Sequence, residues 1–204
     1  MAPTGRRDRE SRIIDQKSGS WASSSQDLLY LAVRLFRISK EESASMPDHN
    51  MSRFVYAGIP FLLAAVHSFI VEYEGILPTR PLPIELSREP LAEIMEKNYG
   101  LSGDALQDLK DLVEIRNEII HPVPLPTGTQ DNWPTYLKRV KTKGILNSQS
   151  NPEFDYSLLG QIASHKLYVW AVDVTEVLYS RIVESDATKA PMFRLVLREF
   201  KKFK

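Results

Sequence analysis

The side chains best suited to chemistry in this sequence are Arg116, Asn117 and His121, the last followed directly by Pro122. An arginine presents a planar fork of donors that can grip a phosphate, and a histidine can give or take a proton near neutral pH. Together they could serve phosphodiester chemistry without a metal or a thiol. The other common routes lack their residues. There is no cysteine, which removes thiolate nucleophiles, disulfides and sulfur-ligated zinc. The four histidines, His49, His67, His121 and His165, show no two-histidine helical spacing, and glycine-rich phosphate loops and nucleophile elbows are absent. Neither a metal nor another cofactor is expected.

The three residues fall at the end of a helix that the apolar spacing predicts from Asp104 to Ile120. Placing successive residues about 100° apart gathers Ala105, Leu106, Leu109, Leu112, Val113, Ile119 and Ile120 into one arc, with Gln107, Asp111, Glu114 and Glu118 opposite. Arg116 falls near the middle of the apolar arc. A guanidinium stays charged and is costly to bury alone, so it must meet a carboxylate, a wet cleft or an anion. Pro122 disfavours the α conformation at His121, which should sit at or just past the helix end, free to lean back toward Arg116. Ideal geometry would otherwise hold the two about 140° apart. The structural alternative is an ion pair on the core face, with Asp173, Glu72 or Glu74 as partner, and a histidine favoured by the helix dipole.

The run Arg116, Asn117, Glu118, Ile119, Ile120, His121 resembles the signature of the HEPN superfamily of helical proteins. That signature is an arginine, usually followed by a polar residue such as asparagine, and then a histidine four to six residues later. The resemblance covers this helix and Pro122, and the helical pattern of the flanking chain agrees with it. It implies an all-α, HEPN-like helical bundle with long central helices and proline-rich connecting loops, often dimeric with the two motifs facing one another. In active members it implies metal-independent RNA cleavage, in which the ribose 2′-hydroxyl attacks the adjacent phosphodiester. Arg116 would then stabilise the pentacoordinate phosphate, His121 would act as acid or base, and Asn117 would orient the groups or the RNA backbone. The implied partners are an RNA substrate, a second copy of the chain and, as in relatives from defence or toxin-type systems, an antitoxin or other partner protein. The competing class is a non-catalytic helical module that binds a partner protein or a nucleotide.

At 204 residues the chain is sized for one domain with tails. Lys+Arg and Asp+Glu both number 26, so no global field draws the molecule to a polyanion and any such contact must be local. Residues 1–25, with Arg6, Arg7, Arg9, Arg12 and a serine cluster but no apolar h-region, read as a disordered polar tail. A single helical domain is assigned to 26–190, and a basic C-terminal helix or tail to 191–204. Within the domain, helices are predicted behind a Ser24/Asp27 capping box, from about Ser52 to Glu74, from Ser87 to near Asn98 with Gly100 as a stop, and from about Ser157 to Glu184. Lys138, Arg139, Lys141 and Lys143 form a basic amphipathic piece, read as a solvated face in preference to an RNA contact made with Trp133 and Tyr136.

Phe54 to Val71 carries no formal charge over eighteen residues, near the lower limit for a membrane span. Gly58, Pro60, His67 and Ser68 interrupt it and Glu72 and Glu74 follow, so it reads as a central helix buried in the bundle, with Pro60 kinking it or marking its start. No membrane contact and a cytoplasmic location are therefore expected. His67 is expected in the core and His165 at the surface.

Overall fold

The computed structural model describes residues 24–45, 51–75, 90–121, 133–147, 158–185, 200 and 203. Among them are seven helices and no strand: α1 (Ser24–Ser45), α2 (Val55–Gly75), α3 (Leu91–Tyr99), α4 (Gly103–Ile120), α5 (Thr135–Thr142), α6 (Leu158–Ile162) and α7 (His165–Glu184). The chain is an all-α helical bundle. Residues 1–23 and nearly all of 186–204, which hold the two assigned tails, lie outside the described residues.

α1 and α2 form an antiparallel hairpin, fixed at both ends by carboxylates. Ser24 Oγ, Ser25 N–H and Ser25 Oγ donate to the Glu72 carboxylate at 2.8, 3.1 and 2.6 Å. The donors left over at the start of α1 are thus satisfied from a neighbouring helix, where a negative charge also suits the dipole. Ser24 and Ser25 therefore belong to α1 and not to the preceding tail. At the other end Arg53 N–H donates to Glu42 at 3.3 Å.

α2 passes the length and hydropathy test for a membrane span, but half of that window is buried inside the fold, where α1 and α7 pack on it. Its buried side holds Ile59, Leu62, Val66, Phe69, Ile70 and Tyr73, while Ala57 and Ala64 face outward. Pro60 lies inside the helix and does not mark its start. Gly58 allows α7 to come close: a Cβ there would lie 2.1 Å from the Tyr168 ring. Tyr168, fully buried, donates its hydroxyl to the Ala32 carbonyl at 2.7 Å, so one side chain ties α7 to α1 beside α2.

The single late helix read from the sequence is two helices, α6 and α7, broken at Ala163 and Ser164. Ser164 is extended (φ −125°, ψ 126°) and its Oγ accepts from Leu167 N–H, while Ser52 N–H donates to the Ala163 carbonyl at 3.0 Å. The α1–α2 connection thus holds the break open, which periodicity within one segment cannot reveal. α3 starts after Pro90, later than the predicted Ser87, and stops at Gly100 in the left-handed conformation (φ 64°) as expected. The basic C-terminal stretch also brings apolar anchors: Phe200 and Phe203 are buried against Tyr179 and Phe36.

Candidate functional site

α4 positions the motif. Leu106, Leu109, Leu112 and Ile115 are buried, so the predicted apolar arc faces the core over the first three turns. The helix then leaves the core. Arg116, Asn117, Glu118 and Ile119 are half-buried, Ile120 is 46% exposed and His121 is exposed. The helix stops where the proline predicts: His121 has φ −129° and ψ 70°, and its N–H donates to the Asn117 carbonyl at 2.8 Å.

Arg116 forms no ion pair or side-chain hydrogen bond with any described residue. Of the partners weighed from the sequence, Glu72 is engaged by the start of α1. Asp173 lines a groove with Ala105 and Asp108, at the opposite end of α4. The Glu74 side chain lies outside the described residues. No hydrogen bond joins Arg116 to His121. The fold brings Arg116, Asn117 and His121 to one helix end without a hydrogen bond between the Arg116 and His121 side chains.

The polar side of α4 holds what the sequence reading missed. Asp111 is only 1% exposed and accepts from Arg139 through Nε at 3.0 Å and Nη2 at 2.5 Å, and from Gln107 Nε2 at 2.9 Å. A buried carboxylate held by a two-point guanidinium contact is a strong, geometrically specific pair. Lys143 pairs with Asp108 and sits 5.5 Å over the Trp170 ring, and Lys141 sits 4.9 Å over Trp133. Burial pushes the Tyr136 phenol well above its usual range, and the carboxylates of Glu118 and Glu114 push it further. The basic piece is therefore α5, laid antiparallel on the acidic face of α4 with Tyr136, Leu137 and Val140 buried. Arg139 and Lys143 hold carboxylates of α4, while Lys138, Lys141 and Lys143 remain exposed, as the reading of a solvated face expects. The usable signal was two amphipathic helices whose polar faces carry opposite charge at matching spacing.

His165 also departs from expectation. It is half-buried, with Nδ1 2.9 Å from Ser39 Oγ and its ring 5.0 Å from that of Phe36. Burial holds its pKa below the ordinary histidine value, and the nearby Lys40 adds to this. His67 is half-buried, short of the full burial expected.

No family model, characterised protein or solved structure matches this chain. The site must be read from its own chemistry. Among the described residues no group of three His, Asp or Glu side chains could hold a metal ion. The corner offers a half-buried guanidinium, an amide and an exposed imidazole at a helix C-terminus. Those groups can receive an anion and exchange a proton with it.

Proposed function

We propose that the chain is a HEPN-like, metal-independent endoribonuclease, with Arg116 and Asn117 holding the phosphate and His121 moving the proton. The observation that carries this reading is Arg116 itself, a guanidinium drawn partly out of water with no carboxylate beside it among the described residues. Such a cation favours an incoming anion, and the planar fork of arginine matches a phosphate. The exposed His121 lies at the same helix end. In the reaction the ribose 2′-oxygen attacks phosphorus and the 5′-oxygen leaves, giving a cyclic phosphate and a 5′-hydroxyl. His121 takes the 2′-proton or supplies the proton to the leaving oxygen, and Arg116 neutralises the pentacoordinate phosphate.

Since no hydrogen bond joins Arg116 to His121 within one copy, the reading has two copies facing across this corner, with the exposed Ile120 in the contact. The partners are then RNA, a second copy and an antitoxin-like protein, in the cytoplasm and away from membranes. The test is cleavage of a mixed RNA in excess chelator, with a 2′-deoxy substrate as control. Wild type should give cyclic phosphate ends, and Arg116→Ala or His121→Ala should lose about 100-fold or more. Absence of wild-type cleavage overturns the catalytic reading. The lack of a hydrogen bond between Arg116 and His121 favours one alternative, a non-catalytic module that binds a nucleotide or partner through Arg116. Binding without cleavage, lost in Arg116→Ala and kept in His121→Ala, would identify it.

A further inference from the structure

Beyond Ser185 the structure describes two residues, Phe200 and Phe203, and both are buried, at 0% and 4% exposure. They close one turn, in which Phe203 N–H donates to the Phe200 carbonyl at 3.1 Å and the two phenyl rings lie 5.5 Å apart. Residues three apart on such a turn share a side. Phe203 meets Phe36 of α1 edge to face at 5.2 Å, and Phe200 meets Tyr179 of α7 at 5.0 Å. Tyr179 in turn packs on Phe69 of α2 at 4.8 Å. The two phenyl rings thus fill a slot walled by three helices.

The walls are joined by bonds that do not involve these rings. Glu72 ties α2 to the start of α1, and the Tyr168 hydroxyl ties α7 to the Ala32 carbonyl of α1. His165 Nδ1 lies 2.9 Å from Ser39 Oγ, a second link between α7 and α1. Phe200 and Phe203, by contrast, make no hydrogen bond or ion pair to these helices among the described residues. Apolar contact alone holds them, and such contact is non-directional. The filled slot also carries a cost. The Tyr179 side chain that receives Phe200 has its hydroxyl buried with no hydrogen-bond partner among the described residues. A buried hydroxyl left unpaired loses its water without replacement, so entry of water would relieve it.

We propose that α1, α2 and α7 form a binding slot for a turn that carries two phenylalanines three residues apart, and that Phe200 and Phe203 are its tethered, exchangeable occupant. When this turn leaves, the slot takes the same turn supplied in trans. Recognition is by two rings at fixed spacing, as an amphipathic helix is read by the groove that holds its anchors. A tethered turn competes at up to about millimolar effective concentration, so a turn in trans enters chiefly where the tethered one is weakened. The inference uses none of the residues of the proposed RNA chemistry, and either can fail without the other.

Fluorescence anisotropy of a labelled synthetic peptide with the sequence Val196–Lys204 tests this on the full chain. Phe200→Ala/Phe203→Ala empties the slot and should keep wild-type helical circular dichroism, since the bonds between the walls remain. This variant should bind the peptide at least about tenfold more tightly than wild type, because no tethered turn competes. Phe203→Ala alone keeps half of the anchor and should fall between the two. A peptide with alanine at both phenylalanine positions should bind none of the three chains. Binding to wild type should reach a rate that no longer rises with peptide concentration, because its own turn must leave first. Three outcomes overturn the proposal. One is loss of helical circular dichroism in the double variant, which would make both phenylalanines part of the core that the fold requires. Another is a folded double variant that binds no peptide, which would mean that the slot collapses when emptied. The third is a peptide bound equally by wild type and the double variant, or bound without its phenylalanines, which would assign the contact to its basic residues elsewhere on the surface.

Discussion

Arg139 and His165 differ from Arg116 and His121 in what the fold gives them to hold. Arg139 makes a two-point contact with a buried carboxylate, and His165 is within hydrogen-bond distance of Ser39 beside the Phe36 ring. Arg116 lies five residues from Asp111 on the same helix, half-buried, and has no such partner among the described residues, while His121 is exposed. Residue type and position on the helix wheel do not separate the sets. The separation comes from other elements: α5 lies along the polar side of α4, α1 covers the start of α7, and the last turn of α4 leaves the core. A charge answered within the fold stabilises that fold, and a charge left unanswered is available to a ligand.

The comparison breaks most sharply at Arg139. Arg139→Ala leaves Asp111, 1% exposed, without its counter-charge, and should cost about 3 kcal/mol. This is the low end for a broken buried pair, because the arginine itself is 39% exposed and water can follow it in. Asp111→Asn should cost less, about 1 to 2 kcal/mol, since the orphaned guanidinium reaches water and the amide can still accept from it. Urea melts of both variants give the order, and equal or reversed losses would mean that the pair is not what fixes α5 to α4.

The same truncation at Arg116 should behave differently. Arg116→Ala strands no carboxylate among the described residues, so its cost should be about 1 kcal/mol or less, while RNA cleavage is lost. The ratio of the two arginine truncations is more telling than either value. If Arg116→Ala destabilises as much as Arg139→Ala, Arg116 has a counter-charge beyond the described residues and joins the structural set.

Much of this was legible in the sequence because local rules govern it. The left-handed stop at Gly100, the end of α4 before Pro122 and the half-buried arginine in the apolar arc all follow from a few neighbouring residues. What was not legible depends on contacts distant in sequence. Asp111 was placed on the polar side of α4, yet whether water or another helix covers that side is decided 28 residues later by Arg139. The break between α6 and α7 rests on Ser52, and the start of α1 on Glu72. His165 stands one residue past that break, and its spacing gave no sign that Phe36 and Ser39 would enclose it. The helix end at His121 was readable because Pro122, its immediate neighbour, sets it.

The histidines sharpen the same contrast with a smaller effect. His165 has its folded-state pKa below the ordinary value of about 6.5, first because burial disfavours the imidazolium and then because Lys40 repels it. Well above pH 6.5 both folded and unfolded chains hold this residue neutral, so it adds no slope to stability there. As pH falls below that value the unfolded chain takes up the proton first, and the folded state loses stability until pH passes its own lower value. The loss should therefore begin just below neutrality and flatten at more acid pH, apart from the carboxylates. His165→Gln, which cannot titrate but can keep a hydrogen bond to Ser39, should remove that part of the slope. Denaturant melts at stepped pH compare the two chains. A wild-type slope that survives His165→Gln would place the sensitivity elsewhere and return His165 to the uncommitted set.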